Sequence, residues 1–137
     1  MDVAEFVERV MSMEFTPRGR SYEQGDCWAV VWLLWRDVLG RELPEYNTGY
    51  ASAGASDVDR SLVGRIMARE SAKWRKTEHP CLGDVPLLRC SGRACHVGVM
   101  INRRQFLHIE DRRGAMVERL SSPIWSRRCE GVYRLVK

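Results

Sequence analysis

No stretch of the 137-residue chain reaches the roughly 18 consecutive apolar residues of a membrane-spanning helix, which excludes an integral helical membrane protein. The opening Met1-Asp2-Val3-Ala4-Glu5 lacks the basic region and apolar core of a secretory signal, so no signal peptide is expected. Lysine is scarce, with three lysines against nineteen arginines. The doublets Arg103-Arg104, Arg112-Arg113 and Arg127-Arg128 fall near predicted turns or strand ends, without a basic helix face or interleaved aromatics. The net charge of +4 therefore describes solvated edges or attraction to an anionic envelope rather than nucleic-acid binding. The Cys-x-x-Cys pair of structural zinc sites is missing too. Cys81, Cys90, Cys95 and His96 are spaced nine, five and one apart, so no metal site is predicted. Repeats and low-complexity segments are absent.

Five cysteines, an odd number, leave at least one thiol without an intrachain partner, which favours a reducing compartment or a catalytic thiol over a disulfide scaffold. A hydrophobic content of 45% and a charged content of 29% are those of an ordinary soluble protein, and 137 residues suit one domain, 1–137.

Hydrophobic periodicity predicts helices first and strands afterwards. Val3, Phe6, Val7 and Val10 form one stripe of a helix over Val3 to Met11. A second helix starts at an Asp26 N-cap and runs to about Leu39, with Gly40 as its left-handed stop. Trp28, Trp32 and Trp35 recur on it at helical spacing, as core packing requires. Ser56 with Asp59 is a capping-box signal for a third helix ending near Trp74 or Lys76. Strands are predicted over Val85 to Arg89, Cys95 to Ile101, Phe106 to Asp111, Ala115 to Leu120 and Gly131 to Val136. Helices followed by an antiparallel sheet make an α+β fold.

Cys27 stands where the polar run Gly19 to Asp26 gives way to the apolar second helix. The unpaired N–H groups of a helix start favour thiolate over thiol and can hold an oxyanion. The base must come from His79, His96 or His108. In the stretch 96–110, Val97, Val99, Ile101, Leu107 and Ile109 occupy the odd positions, so the odd face packs on the core and His96 and His108 share the opposite face. A three-residue loop, Asn102-Arg103-Arg104, sets Ile101 opposite Gln105 and Gly98 opposite His108. His96 then becomes a diagonal neighbour of His108, roughly 7 to 8 Å away and within imidazole reach, and Gly98 leaves room for the contact. A thiol, a histidine base and a second polar group to orient it follow the logic of a cysteine triad.

The run Gly25-Asp26-Cys27-Trp28, followed by an apolar helix, Gly40 and Glu42-Leu43-Pro44-Glu45-Tyr46, resembles the NlpC family of cell-wall cysteine peptidases, also called NlpC and p-sixty. The Asp-Cys-Trp run is closest to the branch carried by phage tails. Gly83-Asp84-Val85 is similar to the strand start that precedes the family's catalytic histidine, His96-Val97-Gly98-Val99 to the strand that carries it, His108 to the third polar position and Gly131-Val132-Tyr133-Arg134 to the closing strand. Trp28-Ala29 stands where many members have Ser-Gly, and Tyr22 or Phe15 stands for the aromatic that precedes the nucleophile.

The resemblance implies a papain-like arrangement and a Cys27-His96-His108 triad that cuts peptidoglycan stem peptides, typically between D-glutamate and a diamino acid. Asp26, Tyr22 and Trp28 are the substrate-contact candidates; Asp26 caps the helix and would also meet a substrate ammonium. No metal or organic cofactor is needed. The implied setting is a phage tail, made in the host cytoplasm, with other tail-tip proteins as partners. Two rivals stand beside it: a structural tail-tip subunit of the same fold with little hydrolysis, and an amidase or acyltransferase acting on another amide.

Overall fold

A computed structural model describes residues 1–46, 70–90 and 92–136. Helix α1 spans Val3–Val10; its N-cap, Asp2, accepts the Glu5 N–H at 2.8 Å, and Phe6 and Val10, one turn apart, form its buried side. Two short strands, β1 (Glu14–Phe15) and β2 (Gln24–Gly25), pair in parallel and lead the chain into helix α2, Cys27–Asp37. Every residue of α2 from Cys27 to Leu34 is buried. A helix that is apolar all round has to be walled by other elements on every side. Its three tryptophans therefore carry polar obligations inside the core. The indole N–H groups of Trp28, Trp32 and Trp35 donate to the carbonyls of Pro44 (2.8 Å), Leu43 (2.8 Å) and Gly83 (2.9 Å), tying two remote loops to the helix. At the far end Gly40 takes φ +74°, the left-handed stop predicted for it.

After a 3-10 turn at Ser71–Lys73 the chain is mostly strand: β3 Trp74–Thr77, β4 Val85–Cys90, β5 Arg93–Val97, β6 Val99–Met100, β7 Gln105–Glu110 and β8 Gly114–Arg119, then helix α3 Pro123–Arg128 and strand β9 Cys129–Leu135. They form two antiparallel sheets, ordered β3-β9-β4-β5 and β6-β7-β8. The α+β class holds, with three differences from the sequence reading. The predicted strand Cys95 to Ile101 is two strands, because Gly98 passes the chain from one sheet to the other. The helix predicted from Ser56 falls on residues 47–69, outside the described residues, and its expected end at Trp74 or Lys76 is strand instead. There Trp74 to Thr77 pair with Leu135 to Val132, and this remote partner satisfies the backbone with Trp74 buried and Arg75 and Lys76 exposed. Finally, α3 was not predicted. Ser122-Pro123 carries its signal, since proline at the first helical position has the right φ and lacks an N–H that would be unpaired anyway. Among the described residues no helix is long and apolar enough to cross a membrane.

Strands β4, β6 and β7 are buried on both faces over most of their length. Val97, Val99, Leu107 and Ile109 join α2, Phe6 and Val10 in the larger core. Met100 and Phe106, on the opposite face, join Leu88, Val132 and Trp125 of α3 in a second one. The β6–β7 register pairs Val99 with Leu107 and Met100 with Phe106, and the Ile101 N–H reaches the Gln105 carbonyl at 3.0 Å. That is the register a three-residue loop demands. Gly98 stands where it brings the backbones close: a Cβ there would lie 2.8 Å from Phe106 Cδ2, 2.9 Å from the Leu107 carbonyl oxygen and 3.3 Å from His108 Cβ. All three are closer than van der Waals contact, and one is to backbone, which cannot swing aside. Gly98→Ala is accordingly expected to lower stability by about 1–3 kcal/mol, the usual scale of overpacking. Denaturant unfolding checks this, and an unchanged midpoint contradicts it.

Candidate active site

The site is built from the N-terminus of α2 and the outer edge of β5. Asp26 caps α2, its Oδ1 accepting the Ala29 N–H at 3.1 Å. The same carboxylate accepts the Arg18 N–H at 3.0 Å on Oδ2 and pairs with Arg20 Nη1 at 2.6 Å on Oδ1. Arg20 also donates to the Glu45 carbonyl, at 3.0 Å from Nε and 2.6 Å from Nη2. A buried ion pair thus pins the turn before the helix, the helix start and the loop after it. This fixes Cys27, the first residue of α2, whose side chain is buried. β5 is an edge strand. The Gly98 N–H points inward to the Pro86 carbonyl at 3.2 Å, so the Val97 N–H points outward, and it and the Trp28 N–H favour the thiolate form of Cys27.

His96 is the residue next to Val97. Its Nε2 lies 2.9 Å from His108 Nδ1, with the rings crossed at 72°. His108 is wholly buried, and its other nitrogen, Nε2, lies 3.3 Å from Glu118 Oε2. Trp125 stands edge-on to the His108 ring at 4.8 Å between centroids, and Phe106 flanks it at 5.2 Å. The diagonal contact anticipated from strand alternation is present, and α3 and β8 close around it.

The NlpC/P60 family model matches residues 13–134, nearly the whole chain. The chain belongs to the NlpC/P60 family. Members of this family are generally cysteine peptidases and peptidoglycan hydrolases. Among solved structures, the fold is similar to a lipoprotein-like NLP/P60 family protein from Staphylococcus aureus subsp. aureus Mu50, with TM-score 0.62 and 18% identity, over 98% of this chain and 40% of that one. The chain thus spans well under half the length of that protein. It is also similar to the NlpC/p60 domain of the peptidoglycan hydrolase SagA, with TM-score 0.60 and 15% identity, over 97% of this chain and 95% of that one. Identities this low show the fold alone. No match is found among curated proteins.

Within this NlpC/P60 domain the sequence-predicted residues fall into two groups. His96 and His108 come together on β5 and β7, and Cys27 packs in the larger core with Val97, the residue next to His96. The three substrate-contact candidates are placed elsewhere or closed off. Tyr22 packs edge-on to Phe6 at 5.9 Å, and its hydroxyl donates to Asp37 Oδ2 at 2.6 Å. Asp37 is at the other end of α2, about 15 Å along the axis from Cys27. Burial and the Asp37 carboxylate both push the Tyr22 hydroxyl pKa upward, which keeps it a donor. Asp26 has no exposed surface, and its oxygens serve Arg20, Arg18 and Ala29, so it presents no carboxylate to a substrate ammonium. Trp28 is buried between Tyr46 and Trp74, with ring centroids 5.0 and 6.2 Å away. Phe15 packs against the larger core, and His79 lies near the chain's closing strand, where its carbonyl accepts from Arg134. Cys90 and Cys95 form a disulfide across the β4–β5 hairpin, their Cα atoms 5.7 Å apart, and Cys27, Cys81 and Cys129 are free thiols, as the odd count requires of at least one.

Two site residues were missed. Glu118 was within reach of the arithmetic that found His108. The turn Asp111-Arg112-Arg113 again has three residues, which sets Met116 opposite His108 and Glu118 diagonal to it. Trp125 had no comparable signal, since only the return of α3 onto the sheet brings it to His108.

The electrostatics differ from the simple helix-start expectation. Burial, and then the Asp26 carboxylate, push the Cys27 thiol up to about 12, against the lowering by the Val97 N–H, Arg20 and the Trp28 N–H. The capping carboxylate that helps the helix opposes a second negative charge one residue away. Cys27 therefore rests as a thiol and needs a base at the moment of attack. Burial also lowers the His108 pKa, against the raising effect of Glu118 and Glu110, which keeps that imidazole neutral.

Because the folded Cys27 value lies above the ordinary thiol value of 9.0, the native state holds this proton more tightly than the unfolded chain. The associated stability is present below the ordinary value and is lost as pH rises toward 12. The ultraviolet thiolate absorbance that distinguishes wild type from Cys27→Ser should thus be missing at neutral pH; a midpoint below neutrality refutes the thiol resting state. Arg20→Ala leaves the Asp26 carboxylate buried without its cation, and a loss of about 3–5 kcal/mol is expected by chemical denaturation. A loss near the scale of an exposed pair, below about 1 kcal/mol, contradicts this role.

Proposed function

We propose that this NlpC/P60 domain is a cysteine peptidase that cuts peptidoglycan stem peptides through Cys27, His96 and His108. The observation that carries the reading is a hydrogen-bonded, buried histidine pair whose first ring, His96, adjoins Val97, the residue that packs in the core with the helix-start sulfur of Cys27.

The chemistry runs from the resting thiol. His96 takes the Cys27 proton as the sulfur attacks the amide carbonyl carbon, forming a C–S bond and a tetrahedral oxyanion. The Cys27 N–H at the start of α2 donates to the negative oxygen. Collapse breaks the C–N bond, His96 gives its proton to the leaving amine, and water then hydrolyses the thioester with His96 as base again. His108 holds the His96 ring in position throughout. No step uses a metal or an organic cofactor.

The bond between D-glutamate and a diamino acid is the preferred target on the strength of the family resemblance. The Gly25-Asp26-Cys27-Trp28 run supports placement in the phage-tail branch, with action on the wall during infection or during assembly beside other tail-tip proteins. On this reading the protein is made in the bacterial cytoplasm and delivered on the tail.

Purified protein incubated with peptidoglycan should release muropeptides, and Cys27→Ala should lower release by about 10³-fold or more. Equal release by both ends the peptidase reading and leaves the structural tail-tip rival. Mass spectrometry of the products separates the remaining rival, because a deamidase alters the stem without breaking it.

A further inference from the structure

The hydrogen bond between His96 Nε2 and His108 Nδ1 contains one proton and has two possible directions. If His108 donates from Nδ1, its Nε2 is bare and points a lone pair at the Glu118 carboxylate. A neutral His96 would then carry its proton on Nδ1, the nitrogen left facing away from His108, and that ring would have no lone pair to offer a thiol. If His96 donates instead, His108 has its proton on Nε2, where Glu118 Oε2 waits 3.3 Å away. His96 Nδ1 is then bare and able to act as a base. Direction and function are coupled, and the group that chooses the direction lies outside the three residues of the triad.

We propose that Glu118 is the positioning residue of this site: by accepting the His108 Nε2–H it turns the His96–His108 bond so that His96 Nδ1 receives the Cys27 proton. The inference rests on the peptidase reading above and adds a fourth member to it.

The placement of Glu118 is set by the backbone. The β7–β8 ladder pairs Phe106 with Glu118 and His108 with Met116, so Glu118 and His108 share a face as diagonal neighbours. The charged and titratable groups facing His108 come from four elements: His96 of β5, Glu110 of its own strand, Glu118 of β8 and Arg128 of α3. Glu110 is the competitor. Its Oε1 lies 3.8 Å from His108 Nδ1, beyond hydrogen-bonding distance, and is itself buried without a hydrogen-bond partner. That is the condition expected when Nδ1 carries no proton. Glu118 is the nearer carboxylate, and Phe106 and Trp125 keep water from the ring between them, which strengthens a directed hydrogen-bond chain. Burial holds His108 neutral, consistent with a relay that orients without itself taking up charge.

The proton balance is simple. The Cys27 proton moves to His96 Nδ1, giving an imidazolium that still donates Nε2–H to His108. Glu118 stabilises this charge through His108 and gains no proton. The Nδ1 proton leaves with the amine.

Long-range proton–nitrogen NMR of the histidine rings tests this in the resting full-length protein. Wild type should show both His96 and His108 as Nε2–H tautomers. Glu118→Gln offers His108 a side chain that can donate as well as accept, so a population with Nδ1–H on His108 should appear. In the peptidoglycan assay the same variant should lose about 10- to 100-fold in kcat with KM unchanged, the scale of a lost orienting carboxylate. The acidic limb of its pH profile should move to lower pH, because the base has lost a stabilising negative charge. Glu118→Asp should restore the tautomer and most of the rate. A wild-type His108 protonated on Nδ1, or a Glu118→Gln protein with unaltered tautomers and kcat, overturns the proposal. The tautomers are read without substrate, so a protein that fails to cut peptidoglycan refutes the peptidase reading and still leaves this assignment decided by NMR.

Discussion

A helix whose first eight residues, Cys27 to Leu34, are all buried sets the terms for this molecule. Burying α2 from Cys27 to Leu34 requires walls all around it, and each indole N–H on it has to find an acceptor inside those walls. The carbonyls of Leu43, Pro44 and Gly83 supply them, so two loops that follow no periodic pattern are located by these three hydrogen bonds to the helix. The helix start is held as firmly, by the Arg20–Asp26 pair. Removing either partner strands a charge or a donor in a low-dielectric interior, a larger penalty than the net gain of the bond when made. Cys27 inherits its position from these constraints.

The second constraint is the strict alternation of side chains along β6 and β7. One set of residues lines α2, and the other faces the smaller core around Trp125. The histidine pair sits on this second side, an apolar place for four ring nitrogens. Such a site is tolerable only when polar atoms are paired, and the chain His96–His108–Glu118 pairs three of the four in sequence. Cys27 lies on the first side, in the larger core with Val97, and the outward N–H of Val97 on β5 favours its thiolate form.

Burial shapes the reactivity as well. A helix start by itself favours thiolate, yet the dry surroundings and the neighbouring Asp26 carboxylate outweigh it, and the sulfur keeps its proton. The same dryness keeps His108 uncharged. A protonated thiol and an uncharged His108 in the resting state suit a site whose groups are largely shut off from water. They also give the orientation of the imidazole bond a weight it would not have in a preformed ion pair.

The α+β order, the limits of α2, the Gly40 stop and the register that brings His108 diagonal to His96 were all readable from the sequence. Each depends on local rules: periods of 3.6 and 2, capping chemistry, and loop length. The break at Gly98 was half readable. The glycine and its need for space were evident, whereas the passage from one sheet to another depends on Pro86 and Asp84, whose carbonyls hold the Gly98 and Met100 N–H groups. Tertiary structure alone decided that Trp74 would pair with β9 rather than end a helix, that Trp125 would cover His108, that Tyr22 would reach for Asp37, and that Cys90 and Cys95 would meet. It also decided the protonation of Cys27, because the energy of a charge depends on everything packed around it, and no residue's neighbours in the chain describe its neighbours in space.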